Sequence, residues 1–314
     1  MSGFRTDGWQ NPDSLQRKHM KLLLYLLGAL ILMGLTVLVI DNNRFVIRKY
    51  KIRGSGVKKP LRIAFLTDLH ENAYGKGNRK LSEAIRKTEP DLVLIGGDLI
   101  ISSTAGKSKN WIRHTASLMQ GIGGICPMYY VDGNHEMRLR DPGYGLEDCY
   151  RELEKILKEA GALPLHNRKT LLKEYGISLF GLELDRDCYL RFRLRDLSPS
   201  DIEKKIGRAD PECFNLLLTH NPDYFKVYAL WGADAVLSGH VHGGIVRIPF
   251  TRQGVINPCF RLFPRYSGGR YKTEAGEGKH HASMILSCGL GMHTLPVRAF
   301  NPAELSVIDI VPES

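Results

Sequence analysis

The chain of 314 residues carries 44 Lys+Arg against 33 Asp+Glu, a formal +11, with 43% hydrophobic and 25% charged residues. That balance excludes a disordered or fibrous chain, and the length suffices for one large core or two modest ones. The charge is local: residues 1–60 hold 11 basic and 3 acidic side chains (net +8), and the other 254 hold 33 and 30 (net +3), so no basic face for nucleic acid is expected on the folded part.

The first predicted element is "LLLYLLGALILMGLTVLVI" (22–40), 19 residues without a charge. As a helix it spans ~28 Å, close to a bilayer core. It exceeds the roughly 7–15 residues of a signal-peptide apolar region, and no small-residue cleavage site follows. The expectation is a single-pass cell-membrane protein with a short basic tail (1–20), a transmembrane helix (21–41) and a basic linker (42–59). "RKHMK" before the segment and "RKYKIRGSGVKK" after it suit anionic lipid headgroups. Four Lys/Arg precede the segment and seven follow it within about 20 residues, which favours a cytoplasmic C-terminal domain. A start-transfer anchor with the domain outside suits the short basic N-terminus equally, so the side stays open. The six cysteines show no CxxC pair and read as small buried hydrophobes or free thiols.

From Pro60 onward, apolar runs alternate with helical patterns. "LRIAFLTDLH" is a strand entering a loop, and "GNRKLSEAIRKTEP" is a helix stopped by Pro90. "DLVLIGGDLI" is a buried strand, "KNWIRHTASLMQGI" a second helix, "CPMYYVDGNHE" a third strand-to-loop unit, and "GLEDCYRELEKILKEAGA" a charged helix. "KTLLKEYGISLFGLEL" reads as a hairpin with Gly176 near its turn. "SPSDIEKKI" is a short helix capped by Ser198 or Ser200. "CFNLLLTHNPD" and "DAVLSGHVHGG" are strands flanking the helix "DYFKVYALWG", and the tail is β-rich. This alternation predicts a layered α/β domain over 60–314 with helices outside sheets.

The polar residues gather where strands end. Asp68 and His70 close the first; Asp98 closes the second; Asn134, His135 and Glu136 close the third. His220 follows "FNLLL", and His240 and His242 follow "DAVL" in a frame of glycines. Loops beyond the carboxyl ends of strands in α/β sheets converge on one crevice. Imidazole, carboxylate and amide oxygen without thiolate suit Mn, Fe, Zn, Co or Ni. Seven such side chains exceed the needs of one ion. Two divalent ions sharing a carboxylate, ~3.5–4 Å apart, can clamp a phosphoryl group for in-line displacement.

In order and spacing, "TDLH…GGDL…GNHE…LLTH…GHVH" resembles the D-x-H / G-D / G-N-H-[DE] / H / G-H-x-H pattern of calcineurin-like metallophosphoesterases, from about Pro60 to the C-terminus. "GGIVRIP" and "GLGMHTLPVRAFNPAEL" further resemble the membrane-anchored bacterial branch, which includes UDP-diacylglucosamine-hydrolase-like members. The resemblance implies a four-layer αββα sandwich. It implies one metal on Asp68, His70 and His242, the other on Asn134, His220 and His240, and Asp98 bridging. His135 would serve as leaving-group acid or phosphate contact, with Asp98 as its acidic partner.

The implied function is hydrolysis of a phosphodiester or pyrophosphate bond in a phosphate-containing, lipid-linked or nucleotide-sugar substrate. The alternatives are a phosphomonoesterase or nucleotide phosphodiesterase acting on soluble substrates, and a non-catalytic binding protein with the same fold. Two positions depart from the branch: Ile245 stands where Gln is common, and Glu71 where small residues are common. Ile245 is therefore a candidate substrate contact, and Arg247 is a second one, as readily an ordinary surface or structural arginine as an anion-binding one. Arg298 is as readily structural as anion-binding. His114, His166 and His293 read as surface or packing residues, His19 as juxtamembrane, and His280 and His281 as a solvated loop. Tyr266 and Tyr271 are weaker candidates for a pocket lip.

Overall fold

The computed structural model describes residues 12–190, 195–258, 260–275, 280–293 and 297–313. In chain order the strands are β1 (Phe45–Gly54), β2 (Leu61–Leu66), β3 (Leu92–Ile95), β4 (Met128–Tyr130), β5 (Ala162–Pro164), β6 (Arg168–Leu172) and β7 (Ile177–Leu182). They continue with β8 (Phe214–Thr219), β9 (Ala235–Ser238), β10 (Val246–Arg247), β11 (Gly254–Ile256), β12 (Gly269–Ala275), β13 (His280–Leu286) and β14 (Ala303–Pro312). The helices are α1 (Pro12–Asn43), α2 (Arg79–Lys87), α3 (Arg113–Ile122), α4 (Asn134–Arg140), α5 (Glu147–Glu159), α6 (Pro199–Ile206) and α7 (Phe225–Trp231). One six-stranded sheet runs β1-β14-β2-β3-β4-β5, and a second runs β12-β13-β9-β8-β7-β6.

The apolar strands explain the layering. Because side chains alternate along a strand, an unbroken apolar run must be covered on both faces. Ala64, Leu66, Val93 and Ile95 meet Leu81, Ile85, Leu118 and Leu153 of the helices outside the first sheet. Their neighbours Ile63, Phe65, Leu92 and Leu94 point the other way, onto Leu216, Leu218, Leu237 and Ile285 of the second sheet. Phe180, Leu217, Val236 and Met284 then pack against Ile202, Ile206, Phe225 and Tyr228 outside it. The result is the four-layer αββα sandwich.

Strands β2, β3 and β4 are mutually parallel, as are β7, β8, β9 and β13. Their following loops therefore emerge together from each sheet. Ser198 takes the N-cap position of α6, its backbone N–H donating to Asp201 at 3.0 Å. Cys126, Cys149, Cys188, Cys213 and Cys288 carry free thiols; Cys259 lies outside the described residues, as do residues 1–11 of the basic tail.

Two readings change. The segment expected as a linker contains β1, which pairs in parallel with β14 over ten residues, from Phe45↔Ala303 to Gly54↔Pro312. Its charges follow a period of two: Lys49, Lys51 and Arg53 are exposed, while Ile52 turns into the core between the sheets. Basic side chains suit an edge strand, where they discourage further pairing. The inward face also meets a buried carboxylate, since Tyr50 donates to Glu304 at 2.8 Å and Arg48 lies 3.2 Å from it. His281, expected in a loop, is exposed at the start of β13, and the side chain of His280 lies outside those described.

Helix α1 stands apart. Within Gln16–Asn43 an 18-residue stretch has a mean hydropathy of 2.7, and none of that stretch is buried by the protein. It is long and apolar enough to cross a membrane.

A core role for β1 predicts that Ile52→Ala lowers unfolding free energy in detergent–urea titrations by about 2–4 kcal/mol, whereas Lys51→Ala changes it by under about 0.5. Equal, negligible effects would restore the linker reading.

Candidate metal centre

Six of the seven expected ligands fall into two groups whose ligand atoms lie within 4.8 Å of one another: Asp68, His70 and His242, and Asp98, His220 and His240. The carboxylate of Asp98 lies between them, its Oδ2 3.1 Å from His220 Nε2 and 3.7 Å from His70 Nε2. Asn134 stands at the start of α4, and its Oδ1 is buried without a hydrogen-bond partner among the described residues.

Backbone carbonyls set which ring nitrogen faces inward. His70 Nδ1 meets Ile100 O at 3.2 Å, His220 Nδ1 meets Gly96 O at 2.7 Å, and His242 Nδ1 meets Gly291 O at 2.9 Å. A carbonyl accepts only, so each Nδ1 carries the proton and each Nε2 presents a lone pair. His70 Nε2 and His242 Nε2 are then 3.2 Å apart, acceptor against acceptor. Such a pair is stable only with a cation beside it. The geometry and the donor set fit divalent ions.

The electrostatics agree. Burial holds His70 and His242 well below the ordinary imidazole value. Burial and the neighbouring His220 take His240 down to about 3. His220 differs: burial opposes its charge, but Asp98, Asp68 and the Gly96 carbonyl raise it to about 10. Proton and metal compete for the same lone pair, and the carboxylates that favour one favour the other.

His135 has the opposite tautomer. Its Nδ1 accepts from the backbone N–H of Ser102 at 3.0 Å, so in the neutral ring Nε2 is the N–H. That Nε2 is buried and has no hydrogen-bond partner among the described residues. Burial, with His293 adding to it, lowers His135 to about 4 despite Asp98. The side chain is thus a neutral donor, which corrects its expected reading as an acid paired with Asp98; Asp98 instead accepts from the His135 backbone N–H at 2.8 Å.

The loops are held under strain. Asp68, His70, Asp98, His240 and His242 all have positive φ, between 46° and 74°. Glycines supply the clearance: a Cβ on Gly239 would collide with the Asp68 carboxylate, and Gly243, at φ 74°, lies against Asn301. Glu136 ties two loops together, accepting from the N–H groups of Asp98 (2.7 Å), Leu99 (2.8 Å) and Gly133 (2.9 Å).

Other expectations move. Glu71 accepts from the N–H groups of His114 and Thr115 at the start of α3, so it caps that helix. Ile245 and Arg247 are both buried, and Arg247 Nε donates to Gly243 O at 2.8 Å; they brace the glycine loop. Arg298 is structural too, donating to the carbonyls of Cys288 (2.9 Å) and Gly291 (2.8 Å). Tyr266 is buried and packs its ring against Tyr271.

His293, read as a surface or packing residue, belongs at the site. Its ring centroid lies 4.6 Å from His70, 4.6 Å from His135 and 5.5 Å from His242. The signal was present: "MILSCGLGMH" is another strand running into a glycine-rich loop with a histidine, from a strand parallel to β9. Tyr189 was also missed; its ring stands 5.2 Å from that of His240.

Strand-end loops that gather two carboxylates, an amide oxygen and inward-facing imidazoles define a dinuclear metal-binding α/β protein. The chain belongs to the calcineurin-like phosphoesterases, whose family model matches residues 61–244. It is 28% identical over 261 residues to a metallophosphoesterase of Helicobacter pylori, covering 82% of this chain and 61% of that relative, so it spans about three fifths of the relative's length. It is 27% identical over 199 residues to the phosphodiesterase YaeI of Escherichia coli, covering 61% and 64%. A solved protein of Thermus thermophilus, TT1561, aligns with 73% of this chain and 90% of its own at 11% identity and a TM-score of 0.44.

Two outcomes are expected. Titration calorimetry of chelator-stripped protein should find two Mn²⁺ ions per chain, each adding about 2.7 kcal/mol of stability at a hundred times its dissociation constant; an unchanged melting temperature would count against the centre. Glu136→Ala should cost at least about 3 kcal/mol in urea unfolding, because it strands several buried N–H groups at once.

Proposed function

We propose that this chain is a membrane-anchored, dinuclear-metal hydrolase that cleaves a phosphodiester or pyrophosphate bond of a lipid-linked or nucleotide-sugar substrate. The observation that carries the reading is the polarity of the nitrogens: lone pairs at His70, His220 and His242 face one space, and the N–H of His135 adjoins it. Acceptors in that number suit cations, and a lone donor beside them suits an anionic oxygen.

In this assignment Asp68, His70 and His242 hold one ion, Asn134, His220 and His240 the other, and Asp98 is shared. When bound, two such ions supply Lewis acidity toward phosphoryl oxygens and a nucleophile at neutral pH. The remaining work belongs to the chain. His135 donates its Nε2–H to a phosphoryl or leaving-group oxygen, held in that tautomer by the Ser102 backbone. His293, within ring contact of His135, lines the same side. The relative described as a phosphodiesterase supports an ester with two substituents. The apolar α1 supports a substrate that resides in the bilayer.

The test uses full-length protein in detergent with Mn²⁺. Bis-p-nitrophenyl phosphate and a nucleotide-sugar pyrophosphate should be hydrolysed faster, by kcat/KM, than p-nitrophenyl phosphate; the reverse order would establish a monoesterase. Asp98→Ala should lower kcat/KM by more than the roughly 10–100-fold typical of outer metal partners. His135→Ala should lower kcat about 10²–10³-fold, as loss of one preorganised donor does. Activity retained in both variants would sink the site assignment.

A further inference from the structure

Beside the metal loops lies a surface that the reaction does not use. The chain leaving His242 forms a hairpin, β10 and β11, whose turn presents Phe250 fully exposed and Ile248 partly so. The segment bridged to β11 adds Leu262 and Phe263, 66% and 61% exposed. Phe300, also exposed, joins Phe250 in lining a groove of about 310 Å³ whose opposite wall is Val37 and Ile40 of α1. Phe250, Phe263 and Phe300 all have positive φ, an unfavourable conformation for bulky side chains. Large apolar groups are thus presented outward in a cluster rather than singly, which marks an interaction face.

The position of α1 identifies what covers it. Its C-terminal end is fixed to the domain: Asp41 accepts from the backbone N–H of Asn301 at 3.0 Å, and Asn42 from that of Arg298 at 3.1 Å. The helix therefore cannot swing freely, and the plane in which its apolar stretch ends is set relative to the domain. Phe250 and Phe300 stand at that plane. Arg252, in the same turn as Phe250, and Arg265, two residues beyond Phe263, are exposed and complement anionic headgroups, while Arg44 is paired with Asp41.

We infer that the turn of the β10–β11 hairpin, with Leu262, Phe263 and Phe300, is an interfacial face that dips into the bilayer beside α1, placing the mouth of the metal site at the membrane surface. The inference rests on α1 spanning the bilayer, as proposed above. Insertion is to the depth of the headgroup–acyl boundary, roughly 5–10 Å, as for other apolar faces with basic rims. Asn301 links the two regions directly, because its side-chain amide donates to His242 O at 2.9 Å while its backbone is held by Asp41. A lipid-borne phosphate would then reach the ions laterally, without leaving the membrane.

Tryptophan quenching by brominated lipids tests this in full-length protein reconstituted into phosphatidylcholine–phosphatidylglycerol vesicles, each variant compared with the parent and its three tryptophans. Phe250→Trp and Leu262→Trp should lose emission, more with bromines near the headgroup than near the chain end. Lys158→Trp, exposed in the last turn of α5 where the chain enters the end of β5 away from the metal loops, should not. Leu30→Trp should be quenched best by deep bromines. If Leu30→Trp is quenched but either hairpin position matches Lys158→Trp, the interfacial face is overturned and the anchor stands. If Leu30→Trp escapes quenching, both fall. Hairpin tryptophans shielded from aqueous acrylamide yet untouched by bromine would assign the face to a second copy of the chain and overturn the bilayer reading. Hydrolysis of bis-p-nitrophenyl phosphate unchanged in the hairpin variants confirms that they fold.

Discussion

Two imidazole nitrogens with their lone pairs facing at 3.2 Å are an arrangement that a folded protein does not make without a reason. Each ring could relieve the repulsion by exchanging its tautomer, but the Ile100 and Gly291 carbonyls hold the Nδ1 protons in place. The same device acts on His220 through Gly96. The unfavourable geometry is thus fixed by backbone atoms of two separate loops, the one after β3 and the one after β13, and only positive charge between the rings resolves it. Every other feature of the site serves to hold those carbonyls and rings where they are.

Holding them is costly. Left-handed backbone at a residue with a side chain costs ~1–2 kcal/mol, and five expected ligands adopt it. The sum is comparable with the whole net stability of a typical domain, about 5–15 kcal/mol. The sandwich supplies what offsets it. Three apolar layers fill the space between and outside the sheets. Glu136 adds a local constraint. Its carboxylate lies under the N–H groups of two loops, so the Asp98 turn and the start of α4 move as one body. A metal ligand and the donor at His135 are thereby kept in register.

Much of this was legible in the sequence, for a physical reason. Ligands sit at the carboxyl ends of strongly apolar strands, so an element pattern and a list of polar residues at strand ends point to the same place. What was not legible depended on contacts across the fold. His293 lies 51 positions beyond His242 and reaches the site only because β13 pairs with β9. Glu71 and Glu136 act on N–H groups of other segments, which no local pattern shows. The basic run after α1 satisfied two descriptions, a solvated linker and an edge strand with lysines outward. Only its pairing with β14, more than 240 residues away, decides between them. Arg247 was open for a related reason: a charged side chain near a phosphate-binding motif suits substrate or structure alike, and here it is buried and binds the loop's own backbone.

The end of α1 shows how the apolar helix and the site come to be one structure. Asp41 is almost wholly buried, although it lies in the last turn of a helix whose apolar stretch is not buried by the protein. A carboxylate is buried only where donors meet it, and here they are Arg44 and the backbone of Asn301. Asn301 in turn donates to the carbonyls of His242 and Gly244, the turn that delivers one of the facing imidazoles. If the helix served only to tether, a flexible connection would suffice, and the contacts at Asp41 and Asn42 would have no purpose. Instead only Arg44 lies between α1 and β1, which leaves no length of chain for a swivel. Two hydrogen bonds separate the apolar helix from a metal-facing histidine. Such a short path fixes where the site sits relative to the end of the apolar helix, which is the geometry that the proposed lipid-borne substrate requires.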